Sequence, residues 1–107
     1  MKITLTYGNV PYTLEFTRRT VRDMEKLGFK LKSLSFDETP LCAMYDLFAG
    51  AFLANHRMVK RSTIEEIFDA QNDKMGLISA LTEMYADTYQ SMSDNGANTE
   101  NPTWTAV

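Results

Sequence analysis

The chain has 107 residues, 44% of them hydrophobic and 23% charged, which is the make-up of one globular domain with a single core. Its one cysteine, Cys42, excludes an internal disulfide and any multi-cysteine metal site, and its one histidine, His56, excludes a two-histidine site within one chain. The net charge of −3 argues against general affinity for nucleic acid, yet the charge is divided: +4 over residues 1–61 and −7 over residues 62–107. Such a chain either shows two solvated faces of opposite sign, pairs head to tail, or presents one sign to a partner.

Lys2–Tyr7 alternates, with Ile3, Leu5 and Tyr7 on one face and Lys2, Thr4 and Thr6 on the other. Val10–Phe16 repeats the pattern with Tyr12, Leu14 and Phe16, and Gly8-Asn9 between the runs tolerates positive φ. Residues 2–16 are therefore expected to form a β-hairpin with one apolar face, which must rest on something else. Thr17 is a plausible N-cap for a helix over 18–27 carrying Val21, Met24 and Leu27 inward, and Gly28 stands where a helix-ending glycine belongs. Arg18, Arg22 and Lys26 form a like-charged stripe on it, partly offset by Arg19–Asp23 and Arg22–Glu25 pairs. Phe29–Phe36 reads as a short strand or an extended connector.

Thr39-Pro40 is a strong helix start, and the helix expected over 40–55 is apolar from Leu41 to Ala54 except at Asp46 and Gly50. A helix apolar all round is buried on most sides, by its own domain, by a second copy or by a partner helix. Gly50 costs about 1 kcal/mol against alanine in a helix interior, which implies a packing reason for it. After the basic connector His56–Arg61, Ser62 and Glu65 match a capping box opening a helix to about Ala70. Asp73 can cap a longer helix over 74–92, whose ladder is Leu77, Leu81, Met84, Tyr85, Thr88 and Met92, flanked by Ile78 and Tyr89. Residues 93–103 hold no packing residue and are expected to be a flexible polar tail, which nevertheless ends in Pro102-Thr103-Trp104. Trp104 reads either as a tethered linear motif or as a side chain docked back on its own domain.

The expected fold class is α+β: an N-terminal hairpin packed on a bundle of about four helices, as one domain over 1–92, followed by a disordered tail over 93–107. No leader and no stretch of apolar residues long enough to span a membrane is apparent. No nucleotide-binding, zincin or nucleophile-elbow pattern occurs. Cys42 and His56 lie roughly 20 Å apart on a continuous helix at 1.5 Å per residue, so they form no catalytic pair, and Cys42 reads as a small core residue. The expectation is a protein with no catalytic residue, metal or cofactor. The partner-binding candidates are Met44, Leu47, Phe48, Ala51 and Phe52 on the central helix, with Trp104 in the tail.

The hairpin followed by Phe16-Thr17-Arg18-Arg19-Thr20-Val21-Arg22-Asp23-Met24-Glu25-Lys26-Leu27-Gly28-Phe29 resembles the opening of the tail assembly chaperones of long-tailed phages. Residues 2–29 carry the resemblance in sequence, and the first 90 or so follow the family in plan. It implies a non-enzymatic protein of the host bacterial cytoplasm that coats the hydrophobic helix of the tape measure protein, recruits tail tube subunits and self-associates. The alternatives are another phage or bacterial interaction or structural module, or a small nucleic-acid regulator using Arg18, Arg22, Lys26 and the Arg57–Arg61 connector.

Overall fold

The computed structural model describes residues 2–31 and 40–93. Strands β1 (Ile3–Tyr7) and β2 (Val10–Leu14) pair antiparallel, with Ile3 opposite Leu14 and Leu5 opposite Tyr12. Gly8 (φ 57°) and Asn9 (φ 65°) make the two-residue turn whose left-handed geometry matches the twist of the strands. The hairpin stops at Leu14 instead of Phe16, because the Glu15 N–H leaves the sheet and donates to the Ala51 carbonyl at 3.1 Å.

Helix α1 (Arg18–Lys26) opens on a reciprocal cap in which Thr17 Oγ1 accepts from the Thr20 N–H and Thr20 Oγ1 accepts from the Thr17 N–H. A threonine three residues in thus replaces the usual glutamate of a capping box. The helix ends as expected at Gly28 (φ 98°), where the Gly28 N–H donates to Glu25 and the Phe29 N–H to Met24. These two bonds make a Schellman stop, with Phe29 and Met24 as its apolar contact.

Helix α2 (Pro40–Gly50) is shorter than the sequence predicts. After Gly50 the bonds tighten from four residues to three, Phe52 N–H to Ala49 and Leu53 N–H to Gly50, and the chain turns through Ala51–Asn55. Helix α3 (Arg61–Asp69) starts after Lys60 with no side-chain cap. The expected Ser62–Glu65 box does not form: the Glu65 carboxylate accepts from Arg61 Nε at 2.8 Å, and Ser62 lies inside the helix. Helix α4 (Lys74–Ser93) is capped as expected by Asp73, whose Oδ1 accepts the Gly76 N–H at 3.0 Å.

The fold is therefore α+β, a hairpin followed by four helices. At its centre Phe48 packs edge-on against Phe52 and tilted against Phe68, while Tyr85 of α4 meets both Phe16 and Phe29 edge-on. Ile78, which the sequence puts on the flank of α4, is buried with Leu81, Met84 and Tyr85. The tail over 94–107, Trp104 included, and residues 32–39 lie outside the described residues.

Candidate functional site

Leu47, Phe48, Ala51 and Phe52, expected to face a partner, are at most 1% exposed. One copy hides them itself: the hairpin, α3 and α4 enclose the end of α2, so these four side chains are core and no partner reaches them in this fold. Met44 is half-buried against that core, and Trp104 is not among the described residues. Cys42, expected as a small core residue, is instead exposed on α2. His56 is half-buried and engaged, its Nε2 accepting the Thr13 N–H at 2.9 Å.

The apolar surface that is open to solvent lies elsewhere. A groove of about 400 Å³ runs between the end of α1 and the end of α2, closed below by the connector and α3. Met24, Leu27 and Phe29 form one wall, Ala49, Gly50 and Leu53 the other, and Val59 and Ile64 the base. Leu27 stands at its edge 83% exposed. Gly50 makes the groove possible: a Cβ there would run into the Met24 thioether, so the bare backbone lets α1 and α2 close up. The three-residue spacing that puts Leu27 inward with Val21 and Met24 fails there, because Leu27 lies past the last residue of α1, at its C-cap, and faces solvent.

Charged residues on the groove, Asp46 and Arg61, and beside it, Arg57 and Asp23, are paired within the chain. Arg61 binds Asp46 at 2.8 Å and Glu65 at 2.8 Å, and Arg57 binds Asp23 at 2.8 Å. The hydrogen bond from Arg57 holds the Asp23 carboxyl below its ordinary range. Arg57, and not Arg19, is therefore the ion-pair partner of Asp23. Both arginines of the connector, Arg57 and Arg61, are thus held in ion pairs within the chain. Two tyrosine hydroxyls donate to carboxylates, Tyr45 to Asp69 and Tyr89 to Glu25, and each bond raises the hydroxyl's pKa. Burial pushes Tyr85 up to about 12.

A second open surface lies between α1 and α4. It measures about 460 Å³ and is lined by Arg18, Arg19, Val21, Arg22, Glu25, Thr88 and Tyr89. Among the described residues no group of three His, Cys, Asp or Glu side chains could hold a metal ion, and no helix is long and apolar enough to cross a membrane.

Fold and surface together define a small α+β domain that offers grooves between helices. The sequence profile that matches it spans residues 1–107 and is described as a domain of unknown function (DUF5055), so the chain belongs to that family. No curated protein and no solved structure matches the chain.

Proposed function

We propose that this chain is a non-enzymatic assembly chaperone of a long-tailed phage, acting in the host bacterial cytoplasm. It holds the apolar helix of the tape measure protein in the groove between α1, α2 and α3, and recruits tail tube subunits. The observation that carries the reading is Leu27, a large apolar side chain 83% exposed at the edge of an apolar groove. Apolar area left in water is unfavourable by about 25 cal/mol per Å², and an amphipathic helix laid in the groove recovers it. Met24 in the wall suits this use, because a thioether side chain repacks around different partners. The hairpin, the Thr17-capped helix stopped at Gly28 and the helices that follow agree with the plan the resemblance implies.

The test is co-expression of the full chain with the tape measure protein. A soluble complex that Leu27→Asp disrupts, together with absence of the chain from finished virions, supports the reading. A tape measure protein that stays insoluble with the chain present, or virions that retain the chain, overturns it.

A further inference from the structure

The solvent side of α1 is strongly cationic. Arg19, Arg22 and Lys26 are all exposed, next to Arg18 at the helix start. Within one copy Arg19 and Lys26 are drawn to Asp23, a carboxylate that Arg57 already holds. Arginines in a first turn oppose the helix dipole, and like charges four residues apart repel. Three ion pairs are formed among the described residues, by Arg57 and Arg61 with Asp23, Asp46 and Glu65, and none uses Arg19, Arg22 or Lys26. The arginines instead rim the α1–α4 groove, together with Glu25, which accepts from the Tyr89 hydroxyl; its floor is Val21 and the ring of Tyr89, itself 47% exposed.

The anionic counterpart is on α4. Glu83 and Asp87 are exposed, one turn apart, and again a like-charged pair. They stand away from the side of α4 that meets α1. Helix α4 meets α1 through Tyr89, which donates to Glu25, and meets the chain just before α1 through Thr88, which donates to the Phe16 carbonyl. At 100° per residue, positions 83 and 87 stand roughly opposite the core-facing Leu81 and Tyr85. The acidic stripe therefore points away from the α1 of its own chain.

We propose that a second copy of this chain docks the Glu83–Asp87 face of its α4 into the arginine-rimmed groove between α1 and α4. Each stripe repels itself within one copy, and each is relieved by the other between copies. The two patches are different surfaces, so the contact is head to tail and builds a ring or an open row. It is separate from the α1–α2–α3 groove, so its failure and the failure of the chaperone reading are distinguishable.

Sedimentation of the full chain at low and high salt tests this. The wild type is expected above its single-chain mass of 12.2 kDa at low salt, and at that mass in about 1 M salt, where screening shortens to about 3 Å. Arg22→Glu and Glu83→Lys, at exposed positions where folding tolerates them, should each weaken association at least about tenfold. Mixing the two variants should restore it, since each then meets an opposite charge. Arg19→Glu mixed with Asp87→Lys repeats the test at neighbouring positions. A wild type that stays at 12.2 kDa at low salt overturns the proposal. So does association that neither reversal weakens, mixtures that fail to reassociate, or a monomer that binds duplex DNA through Arg22.

Discussion

His56 accepts the backbone N–H of Thr13 across 43 residues of chain, at 2.9 Å. The bond fastens β2 to the turn that follows α2, and the imidazole also stacks edge-on to Tyr12 at 5.2 Å. His56→Phe keeps a ring but leaves that N–H without its acceptor, which costs about 1–2 kcal/mol, or several degrees of Tm. Amide exchange at Thr13 should quicken more than at Leu14. Equal protection of Thr13 in both proteins would show that another acceptor holds the hairpin.

Gly50 owes its identity to Met24. Replacing Gly50 with alanine gains up to about 1 kcal/mol of helix propensity, but the new methyl meets the Met24 thioether and pushes it into the groove. Gly50→Ala should therefore destabilise the wild type slightly, by about 1 kcal/mol as overpacking does. In a Met24→Ala background the same change should stabilise. Urea unfolding of the four proteins measures the sign, and an unchanged sign would mean that Met24 yields without cost.

The hairpin, the Thr17 start and the Gly28 stop of α1 were legible because each is a local event, set by one or two residues with a single backbone preference. Helix ends fixed by distant partners were not. Glu15 leaves the strand for Ala51, and Glu65 caps nothing because Arg61 holds it. The central helix was recognised as over-apolar, but apolarity alone does not say which copy of which chain covers it. Phe68 and the ring of Tyr12 cover it here, through contacts 20 and 40 residues away in sequence. The groove at Leu27 was invisible for the same reason, since its far wall is Ala49, Gly50 and Leu53 and its base Val59 and Ile64.

Acid should act partly through Asp23. Arg57 lowers the pKa of that carboxyl in the folded chain, so its contribution is present above the ordinary carboxylate value and is lost as pH falls through the lower folded value. Arg57→Ala should flatten the acid limb of a stability–pH curve, and added salt should do the same in the wild type, because the pair is half exposed. An acid limb identical in the variant would assign that slope to other carboxylates.

Alkali should act through Tyr85. Burial holds its folded pKa at about 12, above the roughly 10 of an open tyrosine. The neutral hydroxyl is the form the fold favours, so its stability is complete below the unfolded value and declines as pH rises through the folded one. In an absorbance titration at alkaline pH, Tyr85→Phe should remove the latest-ionising tyrosine while keeping the ring contacts to Phe16 and Phe29. Loss of a step near the ordinary tyrosine value instead would mean that the ring is open to water.

Phe48 and Leu27 separate core from docking surface. Phe48 is fully buried between Phe52 and Phe68, so Phe48→Ala should cost about 3–5 kcal/mol, a large share of the 5–15 kcal/mol that holds a domain of this size. Phe48→Asp should unfold the chain outright instead of yielding a folded protein that has merely lost a partner. Leu27→Asp exchanges a side chain that is 83% exposed, so its Tm should move by no more than a few degrees. Its loss should appear in capture of an apolar helix, read by co-purification beside circular dichroism. A Leu27→Asp protein that melts as early as Phe48→Ala would make Leu27 part of the core. One that captures the helix as well as the wild type would move the docking surface off this groove.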